Sequence, residues 1–148
     1  MKTLLSLTSF IAVFSLTLTA SVNAEGLSCD PWVPYGTLKD IPIYEDCEVT
    51  KGDVAVAMTN GIYWCSEVAA RLERETPGVT HFAYVHEYGH YIHGTDEAAT
   101  DCWAAKELKN TCYIPIVISH LMKHGDEYRP GYGYMRDRAN LIYNCSVK

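Results

Sequence analysis

The stretch from Val85 to Asp101 constrains this chain more than any other. It holds His86-Glu87-Tyr88-Gly89-His90, then His93-Gly94-Thr95-Asp96-Glu97 and, at the next helical turn, Asp101. Residues four apart stand above one another on one helix face, so His86 and His90 reach the same point from one rigid element. Glu87, one residue round from His86, stands beside that point, where a metal-activated water would be. Gly94 is a natural C-cap, and Thr95 is a natural N-cap for a second helix beginning at Asp96. The chain is therefore expected to reverse here. In the resulting helical hairpin Glu97 faces His90 and Asp101 faces His86, with both carboxylates on one face of the second helix. One carboxylate completes a metal site, and the other fixes the tautomer of a ligating histidine.

These residues resemble the zincin metallopeptidases, and within them the gluzincin type, whose His-Glu-x-x-His helix is followed by a helix carrying Glu-x-x-x-Asp. The resemblance implies His86, His90 and Glu97 as zinc ligands, Glu87 as general base and Asp101 as the partner of His86. Glu97 follows His90 sooner than the third ligand does in most gluzincins. The rival metzincin pattern would place the third ligand at Asp96, but it requires glycine at 93, where this chain has His93, with glycine at 94. Asp101 and Asp96 are therefore the alternatives to Glu97. The implied reaction is hydrolysis of a peptide (amide) bond by a zinc-activated water, in a protein or a cell-wall peptide. The competing expectation is an exported, disulfide-stabilised metal-binding or interaction module in which the hairpin is only a scaffold.

Met1 to Ala24 has one early lysine, an apolar run from Leu4 to about Leu18, and small residues ending Val22-Asn23-Ala24, the pattern of a secretory signal peptide cleaved after Ala24. The apolar run is too short to span a bilayer. Residues 25–148 then form a single small domain, secreted or periplasmic, with no membrane span. The formal net charge of −6, more negative once Lys2 is removed, gives no electrostatic reason to hold nucleic acid or anionic lipid. All six cysteines, Cys29, Cys47, Cys65, Cys102, Cys112 and Cys145, follow the cleavage site, and an even number in an exported chain predicts up to three disulfides with open connectivity.

The fold class expected is mainly α, with little strand: a small zincin-like helical domain built on the hairpin and stapled by disulfides. Residues 25–52, rich in proline, glycine and acidic residues, read as an irregular arm, with Ile41 to Tyr44 a candidate edge strand for extended substrate. Asp53 to Glu75 reads as one helix, on the spacing of Val54, Ala57, Gly61, Cys65 and Leu72. Its polar side, Glu67, Arg71, Glu73, Arg74 and Glu75, reads as a solvated face. Pro77-Gly78 breaks it, and Thr80 caps the active-site helix. Ile114 to Met122 reads as a third core helix with Pro115 in its first turn, Asp126 to Gly133 as a loop, and Tyr134 to Tyr143 as a last helix. His93 lies about 10 Å along the axis from His86, too far to share an ion, and is expected at the rim. His81 is expected at the surface and Met135 in the core. The group that stabilises an oxyanion is sought among Tyr132, Tyr134, Arg136, His120 and His124.

Overall fold

The computed structural model describes residues 26–148. The expected signal peptide and its cleavage site lie outside the described residues. The architecture is mainly helical, with two small sheets. Following a 3-10 turn at Gly36–Asp40 come β1 (Ile43–Glu45), α1 (Cys47–Thr50), β2 (Ala55–Met58), β3 (Gly61–Trp64), α2 (Ser66–Glu75), α3 (Val79–His93), α4 (Glu97–Glu107), α5 (Tyr113–Lys123), β4 (Tyr128–Arg129), β5 (Gly133–Tyr134) and α6 (Met135–Ser146).

α3 is the central element, and its faces have different neighbours. Phe82 and Val85 enter a core shared with Ala104 and Ala105 of α4, Val117 and Leu121 of α5, and Ala139 and Ile142 of α6. Tyr88 enters a second core with Leu38, Ala55 and Ile62, against which Trp32, Trp64 and Trp103 pack. The face between these two, bearing His86, Glu87 and His90, lines a cavity of about 650 Å³.

The single helix expected over Asp53 to Glu75 is instead a β-hairpin followed by a shorter helix. β2 and β3 pair antiparallel, Ala57 opposite Ile62 and Met58 opposite Gly61, across Thr59-Asn60. The β-branched and aromatic run Ile62-Tyr63-Trp64 fits a half-buried pleated surface better than a helix. Gly61 sits at φ +152°, and a Cβ there would lie 2.6 Å from Tyr44 Cε2 and 2.7 Å from the Pro42 carbonyl. The expected edge strand is also displaced. β1 runs parallel to β3 in the order β1-β3-β2, so the strand beside α3 is β2. Ala55, Val56, Ala57 and Met58 line the cavity, whereas β1 does not. The loop expected over Asp126 to Gly133 contains β4, which pairs with β5.

Three disulfides staple these elements. Cys29–Cys112 ties the N-terminal arm to the start of α5, Cys47–Cys65 ties α1 to the end of the hairpin, and Cys102–Cys145 ties α4 to α6. The arm is further anchored by Trp32, whose indole N–H donates to Glu107 Oε2 at 2.8 Å. Among the described residues no helix is long and apolar enough to cross a membrane.

The start of α3 is capped otherwise than expected. Gly78, not Thr80, precedes the first helical residue. The Glu73 carboxylate of α2 receives the Gly78 N–H (2.6 Å), the Thr80 N–H (3.0 Å) and the Thr80 hydroxyl (2.5 Å). An anion placed on the unpaired amides at the positive end of a helix satisfies donors that have no partner within the helix. Burial works against this charge, but these hydrogen bonds hold the Glu73 carboxyl below the usual carboxylate range.

His81 is not a surface residue. Its Nε2 accepts the Trp32 N–H at 2.9 Å, and its ring lies against Tyr113 and Tyr84. Burial pushes its pKa down, which keeps the ring nitrogen available as an acceptor. Met135 is core, as expected.

Candidate metal centre

The hairpin brings its polar residues together as the spacing required. Gly94 closes α3, its N–H bonded to the His90 carbonyl. Asp96, not Thr95, is the N-cap of α4, and its carboxylate accepts from Ala99 N at 2.9 Å. Asp96 is thereby engaged with its own helix and is absent from the cluster that gathers at the two histidines. Gly89 sets the distance between α3 and α4. A Cβ there would lie 2.8 Å from Thr100 Cγ2 and 3.0 Å from Trp103 Cε3, so only a glycine lets the helices approach this closely.

At that spacing His86 Nε2 lies 3.1 Å from Glu97 Oε2, and His90 Nε2 lies 3.5 Å from the same oxygen. Two ligands about 2.0–2.1 Å from a tetrahedral metal ion stand roughly 3.3 Å apart, so these separations fit shared metal ligands as well as direct hydrogen bonds. The remaining ring nitrogens are engaged in the manner of metal-binding histidines. His90 Nδ1 donates to the Gly94 carbonyl at 2.6 Å. His86 Nδ1 lies 2.8 Å from Asp101 Oδ1. At that distance the Asp101 carboxylate favours the proton on Nδ1, both by this contact and by its charge.

The electrostatics agree with the geometry. Burial disfavours a charged His86, yet Asp101 and Glu97 outweigh it and push its pKa up to about 9. Two carboxylates around one imidazole demand a positive charge at Nε2, supplied by a proton or by a metal ion. Burial likewise opposes ionisation of Glu97 and Asp101. His86 and Tyr132 hold Glu97 low, and His86 and Arg138 hold Asp101 low, so both remain anions.

Glu87 stands on the same wall, 7 % exposed. Burial pushes its carboxyl up, while the two histidines and the backbone N–H of Ala57 in β2 pull it down; the balance is a raised pKa. Tyr91 donates its hydroxyl to the Met58 carbonyl at 2.6 Å, tying β2 to α3 beside this residue.

The same cavity is lined by Tyr132, Arg129 and Arg138. Of the residues considered for an oxyanion, Tyr132 alone lines this cavity. Tyr134 is exposed, Arg136 reaches back to the Gly125 carbonyl, and His120 and His124 line a separate, adjoining cavity. His93 is exposed and does not line the cavity. The Tyr132 ring lies 6.1 Å from that of His86, and its hydroxyl pairs with Glu97. Burial raises its pKa and keeps it protonated.

Arg138 went unrecognised in the sequence. It grips Asp101 at two points and lies 4.0 Å over the Tyr132 ring. The signal was present: on α6 the inward residues Met135, Ala139, Ile142 and Cys145 form one stripe, and Arg138 falls within it. A charged residue on a buried helix face needs a buried partner.

Fold and site together define a two-histidine, one-carboxylate metal-ligand cluster on a helical hairpin, with a further buried carboxylate beside it. No family model, curated protein or solved structure matches this chain.

Proposed function

We propose that this chain is an exported zinc-dependent peptidase of the gluzincin-like kind, hydrolysing peptide (amide) bonds in a protein or cell-wall peptide. The observation that carries the reading is the convergence of His86 Nε2, His90 Nε2 and Glu97 Oε2 on one point of the cavity wall, with the buried Glu87 carboxylate beside it. A purely structural site is closed by four protein ligands and needs no base alongside. His86, His90 and Glu97 would hold the zinc, and Asp101 orients His86. Bound there, zinc supplies Lewis acidity, making water acidic near neutral pH and polarising a carbonyl.

The chain's own residues supply the rest. Glu87, its pKa raised by burial, takes the proton of the attacking water and passes it to the leaving amine. Tyr132, kept protonated beside Glu97, is the neutral donor in the cavity that would turn its hydroxyl to the developing oxyanion. β2, the strand bordering the cavity, offers its edge to an extended peptide. The three disulfides and the absence of a membrane-crossing helix among the described residues are compatible with an exported protein.

The test is Glu87→Gln. Zinc content is expected to stay near the wild-type level while hydrolysis of a broad peptide library is lost. Hydrolysis surviving in this variant would remove Glu87 as base. Zinc binding with no hydrolysis by the wild type across peptide and peptidoglycan substrates would favour the non-catalytic metal-binding module.

A further inference from the structure

A second cluster of metal-ligand type lies away from the hairpin: Glu75 at the end of α2 with His120 on the last turn of α5 and His124 at its C-cap. His120 and His124 are one turn apart, so their rings share a face. One ligand atom from each of the three residues falls within 4.8 Å of the others. Glu75 Oε1 lies 3.0 Å from His124 Nε2, matching the His86–Glu97 separation of 3.1 Å in the first cluster.

The hydrogen bonds of both rings leave the same nitrogen for a ligand. His124 Nδ1 is 2.7 Å from Glu127 Oε1, and His120 Nδ1 is 2.9 Å from Thr76 Oγ1. A histidine that donates from Nδ1 to an oxygen, as both rings can here, presents Nε2 to a metal, as in carboxylate–histidine–zinc triads. Both rings are half-buried, bordering a cavity of about 350 Å³. Glu75 is exposed, so an ion can enter from solvent. The Lys123 ammonium also reaches Glu75 Oε1, at 2.7 Å, but its side chain is 60 % exposed and swings free at little cost.

We infer that Glu75, His120 and His124 form a second site for a divalent transition-metal ion, zinc foremost, with Thr76 and Glu127 orienting the two imidazoles. Two imidazoles and one carboxylate suit zinc, copper, nickel or cobalt rather than calcium or magnesium. The ion joins the end of α2 to the end of α5. It thereby braces the cavity whose walls include Arg71, Leu72, Ala83 and Arg138, all shared with the first site. The inference is independent of the peptidase reading, since it rests on different residues.

The test uses the disulfide-bonded protein, stripped with chelator and titrated with zinc alone near neutral pH, with circular dichroism to verify folding. Wild type is expected to take up about two equivalents, and His86→Ala and His120→Ala about one each. Thr76→Val is expected to weaken the second equivalent by about 10-fold or more and leave the first intact. Zinc is also expected to raise the melting temperature of His86→Ala, because an ion bound only by the folded state stabilises it. His124→Gln, altered at a half-exposed position, stands in if His120→Ala does not fold. A single equivalent in wild type that disappears in His86→Ala and persists in His120→Ala would overturn the second site and leave the first standing. A single equivalent with the opposite pattern would support the second site and overturn the first.

Discussion

Arg138 holds Asp101 at two points, Nε to Oδ2 at 2.7 Å and Nη2 to Oδ1 at 2.8 Å, while the same carboxylate lies 2.8 Å from His86 Nδ1. A chain of charge thus runs from α6 through α4 to the first histidine of α3. Asp101 is 1 % exposed, so neither its charge nor that of Arg138 is replaceable by water. Removing one partner strands the other. Arg138→Met is therefore expected to destabilise the fold by about 3–5 kcal/mol, read from urea unfolding. Asp101→Asn is expected to lower zinc affinity at the first cluster by about 10–100-fold. The double variant should lose less stability than the two singles combined, because neither charge is then left unpaired. Additive losses would mean that the two residues act separately.

The two acidic neighbours at the start of α4 have different tasks. Glu97 points at both histidines, whereas Asp96 accepts the Ala99 N–H. Asp96→Asn is expected to leave zinc content and stability nearly unchanged, since asparagine caps a helix about as well as aspartate. Glu97→Gln is expected to reduce zinc content sharply, by more than Asp101→Asn does. Metal analysis of the purified variants checks the ranking, and the reverse order would transfer the third ligand to another carboxylate.

Gly89 is predicted to be the most sensitive small residue of the site. An added methyl at this position meets Thr100 Cγ2 at 2.8 Å and the Trp103 ring at 3.0 Å, and no flexible side-chain end is there to yield. Gly89→Ala should cost about 1–3 kcal/mol and weaken zinc binding, because Glu97 and Asp101 move away with α4. Thr100→Ser, which removes the facing methyl, should restore part of both losses. Full zinc affinity in Gly89→Ala would show that the helix spacing does not control the ligand geometry.

The helical hairpin was legible because its signals are local: histidines one turn apart, a glycine stop, and carboxylates one turn apart on the returning helix. The facing pairs His90–Glu97 and His86–Asp101 follow from that local pattern. The hairpin of β2 and β3 was not legible in the same way, since Val54, Ala57 and Gly61 also fit a helical spacing and a short apolar run satisfies both periods. Asn60 in the two-residue turn Thr59-Asn60, with Gly61 directly after it, was the overlooked turn signal. Arg138 and Glu73 were hidden for another reason. Each looks like an ordinary surface charge until a distant element supplies its partner, Asp101 in one case and the first amides of α3 in the other.

Glu73 leads to a pH-dependent prediction away from the metal ligands. Its carboxylate is hydrogen-bonded to Gly78 N, Thr80 N and Thr80 Oγ1, and its folded pKa lies below the ordinary 4.5. A carboxyl whose pKa is depressed by folding contributes stability that is fully present above its unfolded pKa and is lost as pH falls through the folded one. Glu73→Ala is expected to cost about 1 kcal/mol near pH 7, the usual worth of a helix N-cap. As pH falls below 4.5 the wild type protonates Glu73 and loses the same interaction, so the gap between the two proteins should narrow and close. Urea unfolding of both at about pH 7 and about pH 3 measures the gap directly. An unchanged gap at the lower pH would show that Glu73 supports α3 by packing rather than by its charge.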